Sequence, residues 1–394
     1  MPPAPRATSA GKAVWLVYVF AFATCVLWIL PLLSPHSVLF PGGPNFEDIV
    51  VYKGRFTLFH TAKFFKSHAY SAFAYPAGCA PIYELFYKTS HPIAAYLFAS
   101  TVITAGAVAV LWWMLRRANL TQLFLWLIPF CFPLVFLIQR ANIELILWMT
   151  TALGLLAYAR GWRYAAAILI GITAAMKLYP VFLLGLFLRR KEDLPPFFTG
   201  LVAAIATMCG AIYWAGPDFF TAARGFTAGV SQFQGHYAQT VRSAEINFDH
   251  CLFSPVKYLS IEHHFSLHAW MLVYYVVTGT LALLLFLRVR TMPFLNRAVF
   301  LTVAMVSLPP VSYNYTLVHL YLPAAFLICA IVPHTRPPAS ALLALACLLF
   351  LFLPLVAISA VQPIAAGPMQ SFALLLLLPL CAVSSWEPRS ASYR

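Results

Sequence analysis

The chain has 394 residues, is 62% hydrophobic and only 9% charged, and has a mean hydropathy of +0.82. A soluble domain carries about 25% charged residues, so this composition excludes one and points to apolar helices that cross a bilayer repeatedly. The formal charge of +14 invites a nucleic-acid partner, but the basic residues are distributed as membrane topology would have them.

The first twelve residues, with Arg6 and Lys12, form a short basic leader. The apolar run Ala13 to Leu33 is too long for the core of a signal peptide and lacks a clean small-residue cleavage site, so it reads as a retained helix. A polar, aromatic stretch follows from Ser34 to about Ser90. Apolar segments then fall near 92–115, 119–138, 142–159, 164–177, 180–188 and 196–215. A second polar stretch runs from Gly216 to about Ser266, before segments near 267–288, 296–310, 315–333, 338–360 and 369–385. The expectation is an all-α polytopic protein of about twelve transmembrane segments. It forms a single membrane domain, 1–394, with two outer loops at 34–90 and 216–266. The segments 164–177 and 180–188 are short, and predict a broken hairpin around Lys177-Leu178-Tyr179-Pro180. Such backbone is tolerated at depth only where it lines a cavity or packs on protein.

Of the 25 Lys and Arg residues, 15 fall in the termini and the short connections on one side, with only three of the 11 acids. That side, with Arg297 counted in it, is cytoplasmic by the positive-inside rule. Both termini are then inside and both long loops outside. The eight cysteines lie mostly in apolar runs without CxxC spacing, as small core residues do. Cys79 and Cys251, both in polar stretches, are the pair placed to bridge.

The polar chemistry gathers on the outer side, as in an enzyme working at the membrane–water boundary. Glu47-Asp48 is an acidic pair just beyond the first apolar run. It suits either the first turn of a helix starting at Ile49 or a carboxylate base that takes a proton from an attacking hydroxyl. Lys53, Arg55, Lys63 and Lys66 alternate with Phe56, Phe59, Phe64 and Phe65, as on an interfacial helix near phosphate headgroups. Glu84 stands four residues before Lys88, the spacing of a helical salt bridge. In Gln139-Arg140-Ala141-Asn142-Ile143-Glu144, Arg140 can bind a phosphate and Asn142 sugar hydroxyls; mutual pairing of Arg140 with Glu144 on one helix face is the alternative. Lys177, in an otherwise apolar run, is a candidate for a leaving phosphate, or snorkels to the interface. In the second loop Gln232, Gln234, His236, Tyr237, Arg242, Glu245, Asn247, Asp249 and His250 form a polar patch suited to carbohydrate. His263, His264 and His268 lack a metal-binding spacing. Pro309-Pro310 breaks a helix before Ser312-Tyr313-Asn314-Tyr315, with His319 beyond as a possible phosphate contact or a bonded core histidine.

The order of these features resembles a family. It runs from an acid in an Asp-x-x-Val-Tyr context (Asp48 to Tyr52) to Phe-x-Tyr-Pro (Phe73 to Pro76) and a Gln-x-x-Asn turn (Gln139 to Asn142). Lys-Leu-Tyr-Pro (Lys177 to Pro180), Arg189-Arg190-Lys191 and a Pro-x-Ser-aromatic turn (Pro310 to Tyr313) follow. Together they are similar to glycosyltransferase family 87, membrane enzymes of the GT-C fold that use polyprenyl-phosphate sugars. The resemblance implies an inverting transfer of a sugar, most simply mannose, to a lipid-linked or glycan acceptor on the extracytoplasmic face of a bacterial inner membrane. It implies Asp48 as base and matches Gln139, Asn142, Lys177 and Tyr179; with Arg140 and His319 these are expected around the donor phosphate and sugar. Glu47, Tyr52, Tyr75, His236 and Asp249 are then expected toward the acceptor. No cofactor, metal or nucleic acid is called for. Two departures stand out: Ala77 replaces a second proline, and Ser312-Tyr313-Asn314-Tyr315 replaces Ser-Trp-Asp-His. Competing readings are a lipid-linked saccharide transporter or flippase, an oligosaccharide ligase with a diphosphate donor, and an arabinofuranosyltransferase of the same fold.

Overall fold

The computed structural model describes residues 15–24, 26, 45–66, 72–115, 131–238, 245–331, 337–356 and 365–386. Among them the regular elements are all helical, and the single β contact is an isolated antiparallel bridge between Asp249 and Tyr313. The all-α expectation holds. Five helices among the described residues are long and apolar enough to cross a membrane: Pro92–Met114, Lys191–Ala215, Leu267–Val289, Asn314–Ile331 and Ala366–Val383. Six shorter apolar helices accompany them. The segments expected at 13–33, 119–138, 315–333 and 338–360 lie partly outside the described residues.

The first helix among the described residues is α1, Trp15–Thr24. The first polar stretch is not an open loop but carries three short helices: α2 (Glu47–Phe56), α3 (Ala62–Lys66) and α4 (Ala80–Tyr87). The single interfacial helix expected from the Lys/Arg–Phe interleaving is thus divided in two. Lys53, Lys63 and Lys66 are exposed, whereas Arg55 is buried and donates to the carbonyl of Phe64. The phenylalanines turn inward because ring packing of Phe56 with Phe59 and Phe64 removes apolar surface from water.

Three of the long helices are α5 (Pro92–Leu115), α9 (Leu194–Ala215) and α12 (Leu267–Val289), and few of their residues are buried. An apolar perimeter of this size is stable against lipid, not water. Between α5 and α9 lie α6 (Phe132–Arg140), α7 (Glu144–Ala159) and α8 (Arg163–Met176). The crossing of α8 and α9 is close: a Cβ on Gly171 would stand 2.2 Å from the carbonyl oxygen of Gly200. Small residues at such crossings let membrane helices approach.

The broken hairpin is present. Lys177 ends α8 in an extended conformation, and a ten-residue 3-10 helix, Tyr179–Leu188, follows. Pro180 lacks the N–H that would continue a regular helix. The second polar stretch is also helical, with α10 (Phe219–Tyr237) and α11 (Ser254–His263). Asp218 starts α10 by accepting the Thr221 N–H at 2.8 Å.

After α12 comes α13 (Phe294–Ser307), in which every residue from Leu295 to Ser307 is buried. A helix buried on all sides belongs in the middle of the bundle. Arg297, counted among the basic residues of the inner connections, is instead buried on α13 and donates to the Tyr158 hydroxyl at 2.9 Å. A 3-10 helix, Asn314–Leu320, leads into α14 (Tyr321–Ile331), followed by α15 (Ala339–Leu351) and α16 (Ala366–Val383). Cys79 and Cys251 are both buried free thiols, so the pairing open to them in sequence does not form. Each thiol faces a backbone carbonyl, that of Met176 for Cys79 and of Pro310 for Cys251.

Candidate active site

Two tight turns meet at the start of α2. Phe46 takes a left-handed conformation with φ of 62°, and Ala141, just after α6, does so with φ of 53°. Left-handed backbone is unfavourable for a side chain with a Cβ and clusters where function holds it. Here the two turns are tied together: the Phe46 N–H donates to the Gln139 carbonyl at 2.7 Å, and Gln139 Nε2 donates to Asn45 Oδ1 at 3.0 Å.

This docking puts Glu47 and Asp48 in the first turn of α2, where the helix dipole favours carboxylates. Arg140 bridges the pair, donating to Glu47 and, at 3.1 Å, to Asp48 Oδ1. Asp48 Oδ2 accepts from Asn142 Nδ2 at 2.5 Å and from the Tyr75 hydroxyl at 3.0 Å. Burial, then the neighbouring Asp48 carboxylate, pushes the Tyr75 phenol well above its ordinary value, so it keeps its proton and remains a donor. A carboxylate offers about four lone-pair sites. Among the described residues these three bonds leave one open, on Oδ1.

The amide of Asn142 joins this half of the site to the other. Its Oδ1 accepts from the Glu144 N–H at 2.9 Å and from Lys177 Nζ at 3.2 Å. Glu144 is fully buried and gathers three side chains: Lys177 Nζ at 2.5 Å, His319 Nε2 at 2.6 Å and the Tyr179 hydroxyl. Lys177 Nζ also lies 5.3 Å from the ring centre of Tyr75 and 5.1 Å from that of Tyr315. A cation over ring faces at this distance is attracted by the ring quadrupole. The hairpin that carries Lys177 reaches this place because Gly78 lets two backbones close up. A Cβ there would meet the Ala175 carbonyl oxygen at 2.5 Å.

Asp48, Glu47, Arg140, Asn142, Gln139, Tyr75, Lys177, Tyr179 and His319 are therefore brought into one connected network. Pairing of Arg140 with Glu144 does not occur. The left-handed Ala141 ends α6 before Glu144 begins α7, so the two never share a helix face. Tyr52 sits behind the network, its ring 5.9 Å from that of Tyr75 and 5.1 Å from that of Phe73. Asp249 stands apart, bound to Lys257 Nζ at 2.5 Å and to the N–H groups of Cys251 and Ser312. The side chain of His236 lies outside the described residues. Glu84 does pair with Lys88, at 2.9 Å, and also takes His60 at 3.1 Å and Trp214 Nε1 at 2.9 Å. Among the described residues no group of three or more His, Cys, Asp or Glu side chains is arranged to hold a metal.

Two members were not placed at the site by sequence. Glu144 is an acid inside an apolar run, as Lys177 is a base inside one, and two such residues of opposite sign signal a pair. Tyr315 carried no signal beyond its place in an aromatic turn.

A lipid-facing helical perimeter enclosing a carboxylate held among cations and hydrogen-bond donors defines an integral membrane protein with an enzyme-like site. Residues 73–308 match the family described as Glycosyltransferase family 87, and the chain belongs to that family. It is accordingly a membrane glycosyltransferase. The matched stretch contains Tyr75, the 139–144 turn, Lys177 and Tyr179, whereas Asp48, Tyr315 and His319 lie outside it. No curated protein matches the chain.

Proposed function

We propose that this protein transfers a sugar, mannose in the simplest reading, from a polyprenyl-phosphate donor to a glycolipid or glycan acceptor, with inversion at the anomeric carbon. The observation that carries the proposal is the Asp48 carboxylate. It is fixed by Arg140, Asn142 and Tyr75 with one lone pair left open by the described residues, and is joined through Asn142 to the Lys177 ammonium. In the transfer the acceptor oxygen attacks the anomeric carbon while Asp48 Oδ1 takes the hydroxyl proton. The bond from that carbon to the phosphate oxygen breaks, and its electron pair leaves with the phosphate. Lys177 and Arg140 stabilise the charge that grows there, as preorganised cations do in a water-poor site. A phosphate leaves without needing a proton, so one carboxylate suffices.

The surrounding body is of the GT-C type, with about twelve segments, both termini cytoplasmic and the site on the extracytoplasmic face of a bacterial inner membrane. The excess of Lys and Arg in the termini and short inner connections supports this orientation. The reading is tested by giving membranes that contain the wild-type protein radiolabelled polyprenyl-phosphate-mannose. Label is expected in a glycolipid or glycan with the opposite anomeric configuration to the donor. Retention of configuration removes the single-carboxylate mechanism. Absence of transfer, with transfer from an arabinose donor instead, reassigns the sugar.

A further inference from the structure

We infer that Glu144 is the positioning residue of the site: it fixes the Lys177 ammonium at the point where the departing phosphate is stabilised. The inference rests on the reading just given. Glu144 opens α7 and its side chain has no solvent exposure. A carboxylate this buried is tolerated only when its lone pairs are filled. The three groups that fill them come from separate stretches of chain: Lys177 after α8, Tyr179 at the start of one 3-10 helix, and His319 within another.

The same residue orients the catalytic half. Its backbone N–H, together with Lys177, occupies Asn142 Oδ1, which turns Asn142 Nδ2 toward Asp48 and Tyr75. Lys177 has three N–H groups. Two are held by Glu144 and Asn142, and the third is left beside the faces of Tyr75 and Tyr315. A lysine stem is long and flexible. Glu144 removes that freedom while having no solvent exposure of its own, so it acts through Lys177.

The test uses full-length protein in lipid nanodiscs, with steady-state transfer from a polyprenyl-phosphate sugar. Glu144→Gln keeps the shape and removes the charge; its kcat is expected to fall on the order of 100-fold, the effect of a misplaced catalytic group. The donor KM should move by less than about threefold, because the lost interaction belongs to the transition state. Lys177→Gln should fall by a similar factor, and the double variant no further than the worse single one, as for residues acting as a unit. Glu144→Asp, which retains the charge with a shorter reach, should recover about tenfold of the loss. Glu144→Gln with wild-type kcat, or a double variant whose loss is the product of the single ones, overturns the inference. Should Glu144→Gln not fold, Glu144→Asp decides: a kcat about tenfold below wild type at constant KM supports it, and a wild-type kcat overturns it. Wild-type protein inactive with every phosphate-linked donor overturns the proposed function and this inference together; failure of the inference alone leaves wild type active and Asp48→Asn inactive.

Discussion

Replacing Lys257 by methionine separates structural from substrate-binding roles in the second polar stretch. Lys257 is fully buried on α11, with Nζ 2.5 Å from Asp249 Oδ2 and 2.6 Å from the Pro310 carbonyl. Breaking a buried ion pair by removing one partner costs about 3–5 kcal/mol, because the other charge stays behind. Asp249 would keep the N–H groups of Cys251 and Ser312 at 3.2 and 3.1 Å, which puts the expected loss near the lower end, about 3 kcal/mol. At about 2–4 °C per kcal/mol for a large domain, the apparent Tm should fall by about 6–12 °C. The assay is unfolding followed by intrinsic fluorescence in nanodiscs. Adding Asp249→Asn to the Lys257 variant removes the stranded charge while leaving an oxygen for both N–H groups, and should restore about half of the loss. Asp249→Asn alone should lower stability yet leave the acceptor KM within about twofold. A Lys257→Met protein that melts within about 2 °C of wild type would refute the reasoning. A large rise in acceptor KM for Asp249→Asn would return Asp249 to the substrate site.

Gly78→Ala places a Cβ 2.5 Å from the Ala175 carbonyl oxygen, a backbone atom that cannot swing aside. A loss of about 1–3 kcal/mol is expected, with transfer at least about tenfold slower because the Lys177 turn shifts; wild-type rates would contradict this. His250 is buried against Ser312, Asn314 and Thr316, and burial pushes its imidazole down to about 4, partly offset by Asp249. The unfolded chain therefore binds a proton that the folded one refuses. Stability from this residue is complete above about pH 6.5 and falls, by up to about 3 kcal/mol, as the pH drops toward 4. Tm measured between pH 7 and 4 should decline less steeply for His250→Gln; equal slopes would count against a neutral buried imidazole.

Composition made the helical membrane class legible, and proline and lysine made the break at 177–180 legible. Asp48, Arg140, Asn142 and Lys177 were visible for one reason: polar groups beside or within apolar runs must find one another. Which of them pair was not visible. Arg140 and Glu144 have ideal helical spacing, and only the left-handed Ala141, with no glycine or asparagine to announce it, sends Arg140 to residues 92 and 93 positions away and Glu144 to Lys177 and His319. The polar composition of 216–266 hid two helices, α10 and α11. The burial of Lys257 and Arg297 was equally hidden. Lys257 lies within a polar stretch, where sequence favours solvent, and Arg297 at the start of an apolar segment, where it favours snorkelling; only tertiary packing supplies Asp249 and Tyr158 as partners.

The central claim is that Asp48 removes the acceptor proton, and transfer by Asp48→Asn protein of wild-type stability tests it most directly. Asparagine keeps the size and an oxygen for Arg140 but cannot take a proton. The account predicts a rate at least about 100-fold below wild type, the lower range for loss of a positioned base. Transfer by Asp48→Asn at the wild-type rate would contradict it.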